Sequence, residues 1–154
     1  IAMHAFGKIA LFMCAGAIYV VTKKTDVSEL SGLGRKMPIT FIIFAIASFS
    51  IIGLPPFGGS WPKFLLILGA VDTGYFSIIA VLMISSLLNV AYLLPIVGRG
   101  FFVKSKDGLD LKLIHEAPLL CWLPAAIAAG TCLLLFFYAG LIQDFLRPFA
   151  QGSI

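Results

Sequence analysis

The stretch Leu54-Pro55-Pro56-Phe57-Gly58-Gly59-Ser60-Trp61-Pro62-Lys63 decides the fold, because it interrupts a long apolar part of the chain. Paired prolines and paired glycines break helices, since proline lacks an amide donor and glycine loosens the backbone. Irregular backbone is tolerated at membrane depth only where protein or a wet cavity satisfies its polar groups. A lysine at the centre of a spanning segment costs about 2.5 to 3.5 kcal/mol and usually marks an ion path. The stretch therefore predicts a membrane protein that moves charge.

Composition places the whole chain in a bilayer. Of its 154 residues, 60% are hydrophobic and 12% are charged, and the mean hydropathy is +1.06, unlike a soluble domain. The length accommodates about five spans of roughly 20 residues. We predict an all-α, polytopic transmembrane helix bundle with about five spans, one of them broken or short. Residues 1–154 form one transmembrane domain, and the apolar start without methionine suggests a fragment of a longer chain.

Five apolar segments are predicted to be helical, at residues 2–21, 38–53, 61–71, 75–97 and 118–138. The loop at 22–37 is expected to lie in water or headgroups, and a second polar loop is expected from Gly98 to Glu116. The fourth segment lacks acidic and basic side chains and is interpreted as scaffold. In the fifth, small residues four apart predict close helix packing, at Ala125 with Ala129 and at Ala126 with Gly130.

The C-terminal residues 141–149 repeat apolar side chains at helical spacing, as an amphipathic helix at the membrane interface does. Lysine and arginine are divided almost equally between the loops on the two sides, so they assign no orientation.

Several function classes are excluded. The sequence has no glycine-rich nucleotide loop, no H-E-x-x-H and no G-x-S-x-G, so no enzymatic site, redox cofactor or metal site is expected in this chain. Cys14, Cys121 and Cys132 stand singly and are expected to be buried, unreactive thiols. The pair His115-Glu116 is interpreted as a solvated or interfacial feature. The net charge of +4 is spread over loops, which favours lipid headgroups over nucleic acid as a partner.

Three basic residues interrupt the apolar segments and are the candidate proton carriers. His4 and Lys8 are four positions apart and so project from one helix face. Desolvation disfavours a lysine cation, which lets a buried lysine exchange its proton, and histidine titrates near neutral pH. Structural alternatives stay open: Lys8 can extend to the interface, His4 can bond to backbone, and Pro55 and Pro56 can turn the chain so that Lys63 reaches the surface.

Two stretches together resemble a known family: His4-Ala5-Phe6-Gly7-Lys8-Ile9-Ala10-Leu11-Phe12, and Gly53 to Phe64 around the break. They are similar to the antiporter-like, proton-conducting subunits of respiratory complex I, of Mrp-type Na+/H+ antiporters (including the MrpD type) and of membrane-bound hydrogenases. The loop from Ser31 to Pro38 also fits the family.

The resemblance implies helices ten to fourteen of such a protein, and hence the C-terminal part of a longer chain. Lys8 matches a lysine of the family's central hydrophilic axis, His4 a histidine beside it, and Lys63 the lysine of the discontinuous twelfth helix. The helix break is carried by a set of four residues, Pro55, Pro56, Gly58 and Gly59.

The implied function is proton translocation, with Na+ as an alternative ion, inside a multisubunit assembly of the bacterial inner membrane. The implied partners are other membrane subunits and lipid, with no cofactor in this chain. A competing interpretation is a non-conducting scaffold that packs against other subunits.

Overall fold

The computed structural model of the chain describes residues 2–103 and 116–150, and these residues are helical with no strand among them. The all-α prediction is confirmed. By length and composition, three helices can each cross a membrane, and α2 is a shorter apolar helix. The helices are α1 (Ala2–Thr22), α2 (Pro38–Ile52), α3 (Ser60–Asp72), α4 (Phe76–Phe102), α5 (Leu119–Phe137) and α6 (Ala139–Ala150); the three long ones are α1, α4 and α5. Residue His115 lies outside the described part.

Helix α2 lies at the centre, with α1 and α4 antiparallel to it. Near the start of α1, Gly7 packs on Ile51 near the end of α2: a Cβ placed on Gly7 would lie 3.1 Å from Ile51 Cγ1. Near the end of α4, Gly100 packs on the Phe41 ring near the start of α2. The core between these helices and α5 therefore contains both ends of α2.

Helix α5 runs parallel to α2. Glu116, just before α5, accepts a hydrogen bond from Thr40 in the first turn of α2. Cys132, near the end of α5, accepts one from the Gly58 amide beyond the end of α2. The same side of α5 thus follows α2 from its first turn to the chain that leaves it.

Helices α2 and α3 are the two halves of a broken span. They have 15 and 13 residues, each fewer than the roughly 20 needed to cross a bilayer. Helix α4 has 27 residues and contacts both halves, with Ser86 at the junction and Gly100 beside α2. The predicted interruption is therefore present, between Gly53 and Gly59.

Small residues form the contact between α1 and α5. Ala10 and Cys14 of α1 are buried in one cluster with Ala125 and Ala129 of α5. The predicted spacing of Ala125 and Ala129 is confirmed as a packing surface, whereas Gly130 has no atom within 4 Å of its Cβ position. Among the other cysteines, Cys132 is buried as predicted and Cys121 is only partly so.

The loop between α1 and α2 differs from its prediction. We expected its backbone in water or headgroups, but Leu30, Leu33 and Gly34 are buried. Two short 3₁₀ helices, Val27–Leu30 and Leu33–Arg35, turn the two leucines inward to a cluster that includes Met37 and Phe41. The second half of this loop is part of the packed bundle.

The same loop explains a second error, at the end of α4. We expected a polar loop from Gly98, but the helix continues to Phe102. The last carbonyls of a helix lack partners within it. Here the Gly32 amide donates to the Arg99 carbonyl at 3.0 Å, and Arg35 Nε donates to the Phe101 carbonyl at 3.1 Å. These donors from the loop stabilise the additional turn.

Candidate functional site

The side chain of Lys63 turns from the first helical turn of α3 back to the end of α2. Its Nζ donates to the Ile52 carbonyl at 2.5 Å, to Ser86 Oγ at 2.9 Å and to the Ile51 carbonyl at 3.2 Å. Ser86 in turn donates to the Leu82 carbonyl at 2.9 Å. An ammonium has three N–H donors, so these three oxygens can satisfy all of them.

The two carbonyls are available because α2 ends there. The amides of Gly53 and Leu54 both donate to the Phe49 carbonyl, at 3.0 and 3.1 Å, which closes the last turn as a Schellman motif does. The carbonyls of Ile51 and Ile52 are left for Lys63. A helix carries about half a negative charge at its C-terminus, which favours a cation there. The break thus creates a cation site that Lys63 occupies.

Gly53 has two roles that require a glycine. Its φ is 88°, in the left-handed region, and a Cβ placed on it would lie 2.8 Å from Lys63 Cδ and 3.2 Å from Nζ. Glycine tolerates that conformation without strain. We did not single out this residue from the sequence, although a glycine after an apolar run and shortly before a proline is the usual signal for a helix C-terminus.

The glycines predicted to loosen the helix instead allow close contacts. The Gly58 amide donates to the Cys132 carbonyl of α5 at 2.9 Å, and a Cβ on Gly58 would lie 2.8 Å from that oxygen. Gly59 packs on the backbone of Ser50 in α2, with its Cβ position 2.8 Å from the Ser50 carbonyl carbon. Pro55 and Pro56, which are joined by a cis peptide bond, precede them. The break is therefore tied to α2 and α5.

Trp61 fixes the start of α3 against α5. Its Nε1 donates to the Phe136 carbonyl at 3.0 Å, and the two rings lie 6.2 Å apart. Since Trp61 is two positions before Lys63, this contact also limits where the lysine can lie.

A cavity of about 530 Å³ lies beside Lys63. Pro55, Trp61 and Phe64 line it from the break and α3, and Met83 and Ser86 line it from α4. Most of the lining is apolar, with the lysine and serine as its polar groups. The cavity gives Lys63 a space that water can enter.

His4 and Lys8 lie on α1 and are both exposed in the described part of the chain. Gly7, between them, packs on Ile51, whose carbonyl accepts a bond from Lys63. The charges of Lys8 and Lys63 both act on His4. The structure therefore brings the three residues to the same end of α2, although no hydrogen bond within residues 2–103 and 116–150 joins His4 or Lys8 to Lys63.

Glu116 was interpreted wrongly as a solvated or interfacial feature. Its carboxylate accepts hydrogen bonds from the Ile39 amide at 3.1 Å, the Thr40 amide at 3.1 Å and the Thr40 hydroxyl at 2.5 Å. A signal existed: α2 begins at Met37-Pro38, without a side chain of its own that caps the helix. Such a start needs an acceptor from elsewhere.

Helix α4 was interpreted as scaffold, but Ser86 belongs to the lysine site. Three similar residues, Ser85, Ser86 and Asn89, interrupt this apolar segment. Only the contact with α3 distinguishes Ser86 from the other two, so the sequence had no means of selecting it.

The chain matches the family model described as NADH:quinone oxidoreductase/Mrp antiporter, TM, over residues 1–89. It is 38% identical to NADH-quinone oxidoreductase subunit N of Desulforudis audaxviator over 64% of the chain. It is also similar to the large A-type subunits of two Na(+)/H(+) antiporters, at 34% identity for the A1 protein of Staphylococcus aureus and 30% for the protein of Bacillus subtilis, each over 98% of the chain.

The chain covers 20% of the length of each of these three relatives. No solved structure matches it. The family match extends through the candidate carriers His4, Lys8 and Lys63, the break and Ser86. With its apolar helices and its interrupted span, the chain belongs to the transmembrane family of NADH:quinone oxidoreductase and Mrp antiporter subunits.

Proposed function

We propose that this chain provides part of a proton path across the membrane. Lys63 exchanges protons with one side through the neighbouring cavity, and Lys8 and His4 pass protons along the bundle. The observation that carries this proposal is the binding of the Lys63 Nζ by three oxygens at the break in a membrane helix.

The type of ligand supports a reversible role for Lys63. All three oxygens are neutral, and within the described residues no carboxylate forms an ion pair with this lysine. Loss of the proton therefore leaves a neutral amine among neutral oxygens. A lysine paired with a buried carboxylate would leave an unpaired anion, which is costly in a bilayer. The Lys63 site can change its charge without that cost.

The contact between α1 and α2 supports a connection to Lys8 and His4. Gly7 brings the α1 backbone onto Ile51, so both residues lie at the level of the Lys63 site. A proton moving between them needs water or side chains in between, and histidine can both accept and donate. His4 is the candidate intermediate.

The relatives support the setting of this path. They are named as subunits of an antiporter and of an oxidoreductase, and the chain covers 20% of each. We propose that the chain works as part of a longer protein, with other membrane subunits, in a bacterial inner membrane. The proton is the proposed substrate, and Na+ is the alternative cation.

One observation favours a structural role as a second candidate. Lys63 caps the C-terminus of α2, and a cap stabilises a helix without moving protons. In that case the chain would be a scaffold, and any cation that reached the carbonyls would serve.

Replacing Lys63 in the intact parent complex separates the two candidates. Arginine can donate to carbonyls but stays protonated in proteins. We expect Lys63→Ala and Lys63→Arg both to lower proton translocation in vesicles strongly, with normal assembly. Lys23→Arg, an exposed change at the end of α1, is the matched control. Normal translocation by an assembled Lys63→Arg complex would refute the proton-carrier role, and parallel measurement of Na+ flux tests the alternative ion.

A further inference from the structure

We propose that Glu116 is a positioning residue for Lys63 and acts on it through α2. Its carboxylate holds the first turn of α2, and this fixes the carbonyls of the last turn where the lysine binds them. The inference rests on the proposed function of Lys63 only for its effect on transport. Its structural part can be tested separately.

The contact of Glu116 with α2 is charged and multiple. One oxygen accepts from the Ile39 amide, and the other accepts from both the amide and the hydroxyl of Thr40. Thr40 is fully buried. The first amides of a helix lack internal partners, and the positive end of the helix dipole lies there. A carboxylate from a distant part of the chain therefore satisfies this end of α2.

The opposite end of α2 is held by the opposite charge. The ammonium of Lys63 binds the carbonyls of Ile51 and Ile52. Thr40 and Ile52 are separated by about 18 Å at 1.5 Å per residue. An anion at the first turn and a cation at the last turn both match the dipole, so α2 is clamped along its axis.

Helix α5 fixes the distance between the two clamps. Glu116 precedes α5, and the carbonyls of Cys132 and Phe136 near its end hold the Gly58 amide and the Trp61 indole. The same helix thus sets the height of the α2 start and of the α3 start. A shift of α2 along α5 would move its last carbonyls relative to Lys63, whose backbone is held by Trp61.

Glu116→Gln tests this coupling because it keeps the shape and removes the charge. The amide has one oxygen where the carboxylate has two, so it cannot accept all three bonds. We expect the N-terminal hold to weaken and α2 to become free to shift. Glu29→Gln is the matched control, since Glu29 is an exposed carboxylate on a 3₁₀ turn outside α2.

The decisive measurement is amide hydrogen exchange in the full-length parent protein within its complex. The amides of Gly53 and Leu54 bond to Phe49 at the far end of α2. We expect their exchange to accelerate about fivefold in Glu116→Gln, the size of a lost cap, and to stay unchanged in Glu29→Gln. A purely local cap would accelerate exchange only near Ile39 and Thr40. Acceleration confined to that first turn would overturn the proposal.

Thr40→Val provides a second, milder variant. It removes the hydroxyl donor and keeps the Glu116 charge, so a smaller acceleration at Gly53 and Leu54 is expected. If Glu116→Gln does not assemble, this variant decides the structural question by the same criterion.

Transport in the same variants connects the positioning to Lys63. We expect Glu116→Gln to lower proton translocation in complexes that assemble normally, and Glu29→Gln to leave it unchanged. Unchanged translocation in Glu116→Gln, where Lys63→Ala abolishes it, would overturn the positioning role alone. Normal translocation in Lys63→Ala would remove the proposed function of Lys63, while the exchange result would still decide whether Glu116 positions its acceptors.

Discussion

Two lysines at the same level of the bundle have very different surroundings. Lys63 binds three oxygens from α2 and α4, whereas Lys8 is exposed on α1 and has no hydrogen bond within the described residues. The Lys63 site is thus complete within this chain. Lys8 depends on whatever covers the outer face of α1. The difference indicates that the local backbone controls the first lysine and the neighbouring helices or subunits control the second.

The largest expected effect is at Lys8. A positioned proton carrier contributes about a hundredfold or more to a rate. We expect Lys8→Ala to lower proton translocation by about that factor, with little loss of stability because its side chain is exposed. Proton uptake by vesicles, normalised to assembled complex, measures it. Lys23→Ala, just past the end of the same helix, is the control. Wild-type uptake would place Lys8 outside the path, and failed assembly would indicate a scaffold role.

Gly53→Ala should have the next largest effect, because it strikes the site that is complete within the chain. The left-handed conformation costs a non-glycine residue about 1–2 kcal/mol, and the added Cβ would displace the Lys63 side chain, 2.8 Å away at Cδ. We expect about tenfold slower translocation and lower thermal stability. Gly69→Ala in α3, where the Cβ position is open, should leave both unchanged. Equal effects of the two substitutions would show that Gly53 does not shape the site.

Ser86→Ala should have the smallest effect of the three. It removes one of three oxygens bound by Lys63, and water from the adjoining cavity can replace it. We expect about a threefold decrease in translocation. The neighbouring Ser85→Ala is the control, since Ser85 is exposed. A decrease larger than that of Gly53→Ala would show that the hydroxyl itself transfers the proton.

Local patterns predicted the helices, the break and the candidate lysine. Apolar runs, paired prolines and a lysine inside a spanning segment are properties of adjacent residues. For this reason the interruption after α2 and the small-residue contact of Ala125 and Ala129 were both accessible from the sequence.

The partners of the site could not be predicted in the same way. Glu116 meets Thr40 across 76 positions, and Trp61 meets Phe136 across 75. Such contacts depend on how helices are arranged, which periodicity does not encode. The extra turn at the end of α4 has the same origin, since donors from the loop between α1 and α2 stabilise it.

The indole contact at the start of α3 makes the break observable by light. The chain contains two tryptophans, Trp61 and Trp122. Emission from an indole depends on its N–H bond and on nearby charge, and Trp61 has the Phe136 carbonyl as its partner and Lys63 two positions away. With Trp122 replaced by phenylalanine, the fluorescence of Trp61 in this segment would report movement at the break, and its colour would follow the proton on the lysine in real time.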